Sequence, residues 1–212
     1  MVRWDLLNRI ANQIGARWYL EIGVQAGHAF SRIDVENKVG VDPDPRSAAT
    51  VHLPSDSYFD RLDSGRDGLG IEGSAPLFDL VFVDGLHHRE QVVRDVLNAQ
   101  RYLAPGGVIV MHDCDPPTQA AGGREMCPGV WCGDVWRGWI DLRQMLQREM
   151  FVVDTDLGLG VILEGTADPI SPTADPGWDE FVADRARWLN LIPVGDALSR
   201  LDRLPSVERC DV

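Results

Sequence analysis

Two short polar runs carry the residues best suited to chemistry, Asp84-Gly-Leu-His87-His88 and His112-Asp113-Cys114-Asp115. Each follows an apolar segment. Carboxylates brought together at two segment ends suit a hard divalent cation such as Mg²⁺, which keeps waters that a substrate oxygen can displace. A histidine ordinarily titrates near pH ~6.5, so His87 or His88 is poised to take a proton from a weakly acidic hydroxyl. A third feature lies upstream, Glu21-Ile-Gly23-Val-Gln-Ala-Gly27. Glycines where a strand turns into a helix let backbone amides approach a ligand with no Cβ in the way. The spacing departs from Gly-x-Gly-x-x-Gly, which argues against a nicotinamide or flavin dinucleotide. Asp42 ends the next apolar segment about 20 residues on, where an acid can accept both hydroxyls of a ribose.

The elements that must position these residues can be read from periodicity. Leu6, Leu7, Ile10 and Ile14 share a helical face. Residues 17–24, 38–42, 78–84 and 108–111 read as strands, with a short helix expected over 27–35 and a longer one from Arg89 to Leu103. The strands are apolar throughout instead of alternating, which predicts a mostly parallel sheet covered on both faces. In such sheets ligands bind beyond the carboxyl ends of the strands, and the polar residues above all fall on that rim. The stretch 118–134 is rich in glycine, proline and cysteine and reads as a long functional loop. A helix from Val135 to Met150 and an antiparallel hairpin from Phe151 to Leu163 should follow. Residues 1–165 are expected to form one domain. The remaining 166–212 read as an appendage with a linker and a helix near Trp178–Leu191.

Composition excludes several classes. The chain has 212 residues, 44% hydrophobic and 25% charged, which fits one soluble globular domain. No apolar run approaches the ~20 residues of a membrane span, and Arg3, Asp5, Arg9 and Arg17 interrupt any secretory signal, so a cytoplasmic location is expected. Acids outnumber Lys plus Arg by 33 to 20, a formal charge of −13, which argues against a nucleic-acid partner. Cys114, Cys127, Cys132 and Cys210 read as free thiols. A zinc site built from Cys114, Cys127, Cys132 and His112 lacks standard ligand spacing. Trp131, Trp136 and Trp139 suit either stacking on a sugar or packing in a core.

Glu21-x-Gly23-x-x-x-Gly27, Val39-Gly-Val-Asp42, Phe78-Asp-Leu-Val-Phe-Val-Asp84 and Leu103-x-Pro105-Gly-Gly-Val-Ile109 together resemble the class I S-adenosylmethionine-dependent methyltransferases over roughly residues 16–165. Asp84-Gly-Leu-His-His88, Val110-Met-His-Asp-Cys-Asp-Pro116, Gly133-Asp-Val-Trp136 and Asp156-Leu-Gly-Leu-Gly-Val-Ile162 resemble the small bacterial O-methyltransferases related to macrolide-sugar and rhamnosyl methyltransferases. Some of that group act on short mannosides. The resemblance implies an α/β, Rossmann-like fold with an antiparallel C-terminal hairpin. It also implies S-adenosylmethionine held by Glu21, Gly23, Gly27 and Asp42, and Mg²⁺ held by Asp84 and Asp113. Asp115 is the favoured third ligand, with His112 and Cys114 as alternatives. The base maps to His87, three residues after the first acid. The expected acceptor is a small saccharide or glycoside, with a homodimer left open. A catechol-type or natural-product O-methyltransferase and a non-catalytic S-adenosylmethionine-binding subunit are the rival readings.

Overall fold

A computed structural model describes residues 1–65, 76–167, 170 and 175–207. Cys210 and part of the expected linker lie outside these residues. The chain opens with helix α1 (Arg3–Ile14), whose Leu6, Leu7, Ile10 and Ile14 are fully buried on one face. Gly15 in the left-handed conformation ends it, and the Ala16 amide donates back to the Ala11 carbonyl. Strand β1 (Trp18–Ile22) follows, then a single 3₁₀ turn at Phe30–Arg32, strand β2 (Asn37–Val41) and helix α2 (Ser55–Asp63). The expected helix over 27–35 shrinks to that one turn. Lys38 Nζ donates to the Phe30 and Ile33 carbonyls, satisfying from outside the acceptors that a longer helix would pair internally.

Strand β3 (Phe78–Val83), helix α3 (Arg89–Gln100), strand β4 (Leu103–Met111) and helix α4 (Val135–Met145) complete the alternating part. Strands β5 (Glu149–Val153) and β6 (Leu159–Leu163) form the expected hairpin. Helices α5 (Trp178–Ala183) and α6 (Arg185–Leu189) replace the single helix read near Trp178, broken at Asp184. A two-residue strand β7 (Leu191–Ile192) and helix α7 (Val194–Leu201) end the described chain.

The strands form one seven-stranded sheet in the order β2-β1-β3-β4-β6-β5-β7. β6 alone runs antiparallel to its neighbours, and the parallel pairing β5–β7 forms the edge beyond the hairpin. This is the Rossmann-like, mostly parallel α/β architecture that the apolar strands imply. α1 and α7 bury Leu6, Ile10, Ala197 and Leu201 against one face with Leu80, Phe82 and Val110. The opposite face carries α2 to α6, with Tyr58, Val96, Trp136, Trp139 and Trp188 over Leu20, Val81 and Ile109. Thus the segment after 175 packs into the body: it adds a strand to the sheet and buries Phe181 and Leu189 completely.

Register fixes the rim. Ile22 pairs with both Val41 and Val83, and Val83 pairs with Met111. The next residue on each strand, Gly23, Asp42, Asp84 and His112, therefore emerges at one level. The chain leaves β1 for β2 on one side and returns to β3 on the other, so Gly23 and Asp84 flank the topological switch point. The start of β1 is seated by Asp79 on β3, whose buried Oδ2 accepts the Arg17 and Trp18 amides at 2.7 and 2.9 Å. Asp79→Ala should cost about 1–3 kcal/mol of stability, the scale for stranding hydrogen-bond donors. A urea titration of both proteins measures it, with the midpoint lowered and the slope unchanged.

Candidate functional site

Of the cavities on the rim, two share the residues at the end of β1. The larger, about 330 Å³, is lined by Gly23, Asp42, Ser55, Asp84, Gln91 and Asp95, among others. The smaller, about 230 Å³, includes Arg3, Trp4, Glu21, Gly23, His28 and Asp84. Gly23, Gln25 and Asp84 border both, so the two form the arms of one cleft bent over the end of β1. Gly23 has φ +90°, and a Cβ there would come within 2.1 Å of the Asp84 carbonyl oxygen. The glycine is thus required by the close approach of the two strand ends, whatever binds above it. Gln25 (φ +46°) and Asp113 (φ +61°) hold left-handed backbone at the ends of β1 and β4. Such strain concentrates at functional sites.

Asp42 is buried; its Oδ2 accepts the Gln25 amide at 2.8 Å and its Oδ1 the Asp44 amide at 2.9 Å. These bonds orient the carboxylate and leave each oxygen a further acceptor site facing the larger cavity. Glu21, also buried, accepts the Tyr19 hydroxyl at 2.6 Å. Burial pushes its pKa up to about 8, with the Tyr19 bond opposing and the Asp84 charge adding. Gly27 packs against Ala48 and borders neither cavity. Of the four expected cofactor residues, three line the cleft.

Asp84 and Asp113 do converge. His87 Nε2 lies 3.4 Å from Asp84 Oδ1 and 3.3 Å from Asp113 Oδ2, and one donor atom from each of the three residues lies within 4.8 Å of the others. His112 Nδ1 faces the same two oxygens at 3.3 and 3.1 Å. Arg3 Nη1 reaches Asp84 Oδ2 at 2.9 Å, and Asp156 is 3.8 Å from His112 Nε2. Burial alone would raise the Asp84 pKa, but the facing His112, His87 and Arg3 hold it far below the usual carboxylate range. Burial would lower the pKa of His112, and the surrounding Asp84, Asp113 and Asp156 instead raise it well above its ordinary value. His87 shows the same balance: burial lowers, while the Asp84 hydrogen bond and the charges of Asp113 and Asp84 raise it further.

The donor set fits a divalent cation. It offers two carboxylates with the His87 imidazole beside them, and the buried Asp113 Oδ1 has no hydrogen-bond partner. Asp115 is not brought to this cluster. Its Oδ1 accepts Arg185 Nη1 at 2.6 Å, and its backbone packs against Gly158 in the β5–β6 turn. Cys114 is buried with its thiol directed at the His112 carbonyl, 3.7 Å away. Among the described residues the metal-capable cluster is Asp84, His87 and Asp113; the cysteines form none, and Cys114, Cys127 and Cys132 are free thiols.

Residues 118–134 act as a clamp on His87. The Trp131 carbonyl lies 3.2 Å from His87 Nδ1, and its indole stacks on the imidazole with centroids 5.1 Å apart. A carbonyl can only accept, so neutral His87 carries its proton on Nδ1 and presents the Nε2 lone pair to Asp84 and Asp113. The Asp134 amide donates to the His87 carbonyl at 3.2 Å, and Asp134 Oδ1 accepts the first amide of α3, from Arg89, at 2.6 Å. Gly133 has φ +63°, and a Cβ there would lie 1.9 Å from the His87 carbonyl oxygen. His88 makes only an edge contact with Trp131. Trp136 and Trp139 are core residues. Sequence reading missed Arg3, His112 as a counter-charge, and Asp156. The first lies at the start of an ordinary amphipathic helix, and the last opens a hairpin-turn motif that carries no sign of its partners.

Residues 20–114 match the profile of a family described as a methyltransferase domain. A tRNA U34 carboxymethyltransferase of Hydrogenovibrio crunogenus is 29% identical over 121 residues, which is 52% of this chain and 36% of that protein. The chain therefore spans little more than a third of that relative. Cofactor-bound Rv0187 from MTB shares 20% identity with a TM-score of 0.55, covering 76% of this chain and 80% of that one. The O-methyltransferase TomG from Streptomyces achromogenes, involved in tomaymycin synthesis and solved with S-adenosylmethionine, shares 21% identity with a TM-score of 0.51, covering 76% and 79%. The chain has the Rossmann-like fold of these solved methyltransferases, and its residues 20–114 are similar to a methyltransferase domain. That fold agrees with the one read from the sequence. No helix among the described residues is long and apolar enough to cross a membrane.

Proposed function

We propose that this protein is a cytoplasmic enzyme that transfers the methyl group of S-adenosylmethionine to a hydroxyl oxygen of a small saccharide or glycoside, with Mg²⁺ held by Asp84 and Asp113. One observation carries the reading: two carboxylates and the His87 Nε2 converge, and one of these acids, Asp84, borders both cavities. The nucleoside would lie in the larger arm with its ribose on Asp42, and the remainder would pass Gly23 towards Glu21. Gly27 shapes the loop from beneath. When bound, the cation polarises the acceptor hydroxyl and fixes its orientation. Mg²⁺ is commonly held by one or two carboxylates plus waters and substrate oxygens, so Asp84 and Asp113 suffice as protein ligands and Asp115 stays with Arg185.

This assignment leaves the Nε2 lone pair of His87 free for the acceptor. The oxygen attacks the methyl carbon, and the carbon–sulfur bond breaks with its electron pair going to sulfur. The hydroxyl proton passes to His87 Nε2. Trp131 and Gly133 hold the imidazole in the required orientation. Positioning of oxygen against methyl supplies much of the acceleration. A cleft rimmed by carboxylates favours an uncharged polyhydroxyl acceptor over an acidic one.

Transfer of labelled methyl to a panel of glycosides, mannosides and catechols tests the reading. Turnover on a sugar hydroxyl is expected, abolished by chelator and restored by Mg²⁺. Preference for catechols would move the assignment to the small-molecule rival, and cofactor binding without turnover on any acceptor would favour the non-catalytic subunit. Asp42→Ala should weaken cofactor binding by about 1–3 kcal/mol by calorimetry, the scale of a hydrogen bond to a charged group. His87→Ala should lower kcat by ~10²-fold or more while cofactor affinity holds, as loss of a general base requires. Steady-state kinetics beside calorimetry reads both.

A further inference from the structure

The two oxygens of Asp84 have different neighbours. Oδ1 faces His87 Nε2 at 3.4 Å and His112 Nδ1 at 3.3 Å, the same two nitrogens that Asp113 Oδ2 faces. Oδ2 points the other way and accepts Arg3 Nη1 at 2.9 Å. That guanidinium is anchored. Asp156 Oδ2 accepts the Arg3 backbone amide at 2.7 Å and Nε at 3.0 Å, and Asp156 Oδ1 accepts Nη2 at 3.3 Å. Arg3 also opens α1, a helix locked to the sheet by Leu6, Leu7 and Ile10. The methyl transfer described above makes no use of it.

We propose that Arg3 sets which cation the site accepts: by occupying Asp84 Oδ2 it limits this carboxylate to one oxygen, and so selects a small octahedral ion against Ca²⁺. The inference rests on the cation reading above and concerns the choice of ion. Ca²⁺ gathers roughly six to eight oxygens and readily takes a carboxylate through both of its own, whereas Mg²⁺ demands octahedral geometry and keeps several waters. The second oxygen of Asp84 is held in a charge-assisted bond. Turning it to an ion breaks that bond. The guanidinium cannot follow the carboxylate round, because its planar donors point in fixed directions and Asp156 holds two of them. Asp113 is different: its Oδ1 has no partner, so it can serve either kind of ion. Discrimination therefore falls to Asp84 and to the residue that restrains it.

Two simpler roles compete. As a counter-charge alone, Arg3 would weaken Mg²⁺ and Ca²⁺ alike, since both carry the same charge. As a staple alone, it would tie α1 to the β5–β6 turn and leave the ion preference untouched. Arg3→Gln separates these roles: its amide nitrogen stands where Arg3 Nε stands, so a bond to Asp156 can persist, but the side chain is too short for Asp84. Arg3→Met removes both contacts. Mn²⁺ is the probe, with free ion read by electron paramagnetic resonance and bound ion displaced by Mg²⁺ or by Ca²⁺. In wild type, Mg²⁺ should displace Mn²⁺ at least as well as Ca²⁺ does. In both variants the ratio of Ca²⁺ to Mg²⁺ affinity should rise by roughly 10-fold, one added ionic oxygen contact being worth at least a hydrogen bond to a charged group. A ratio that does not rise, with the two ions strengthened or weakened alike, overturns the proposal. If only one variant folds, it carries the same two outcomes. Wild type that prefers Ca²⁺ overturns the proposal without any variant. Wild type that binds no Mn²⁺ overturns the cation reading itself, an outcome distinct from an unchanged ratio.

Discussion

Placing two carboxylates side by side at the ends of adjacent parallel strands is the constraint around which the rest of the site is built. The register Val83 to Met111 brings Asp84 and the residues after Met111 together regardless of their charge. Two like charges a few ångströms apart in a poorly solvated place repel by several kcal/mol, so bases must be delivered to them. His112 comes from β4 itself, Arg3 from the start of the chain, and His87 from the loop into α3. Asp156, in the β5–β6 turn, in turn holds Arg3 and lies near His112. Four parts of the chain, far apart in sequence, are tied by this one electrostatic requirement. Breaking one partner of such a buried set costs more than the pair contributes, because the remaining charge is stranded.

The long loop solves a different problem, which is how to fix an imidazole at the edge of a cleft. A histidine on an open loop would sample several rotamers and misplace its lone pair. Here Trp131 covers one face and its carbonyl fixes the tautomer, while Gly133 and Asp134 pin the His87 backbone. The loop is itself held by indole donors: Trp131 Nε1 bonds the Gly123 carbonyl and Trp136 Nε1 the Gly122 carbonyl, both at 2.9 Å. Irregular backbone in this region therefore has its polar groups satisfied. Its composition follows from that task, with a glycine where a Cβ would strike His87 and an aspartate where α3 needs an acceptor at its first turn.

What the sequence made legible was whatever depends on local pattern. Continuous apolar runs at 80–83 and 108–111 made the buried strands legible, and the polar residues at their ends the rim. Partners set by distant chain were not legible. Asp115 had the chemistry of a ligand two residues from Asp113, yet Arg185, 70 residues on, takes its carboxylate. Arg3 read only as one of the charges that interrupt a secretory signal, because nothing nearby announces Asp156. The 27–35 helix failed for a related reason: Lys38 on the following strand competes for its carbonyls. The two-residue β7 is too short for any periodicity to register, and only its pairing with β5 makes it a strand.

The proposed roles of base and metal site at Asp84, His87 and Asp113 depend on each other. With only the two carboxylates facing it, His87 is biased towards imidazolium, since their charge raises its pKa despite burial. An imidazolium has no lone pair to offer. If the same carboxylate charge is shared with a divalent cation, the bias is removed and a neighbouring positive charge favours the neutral ring. The tautomer is already set by Trp131, so the lone pair regained is the one on Nε2, which faces Asp84 and Asp113. A protein that used His87 as base without a cation would gain by lacking one of the two acids. The presence of both, beside a histidine whose orientation is so heavily determined, is coherent when the acids serve the cation and the histidine serves the hydroxyl.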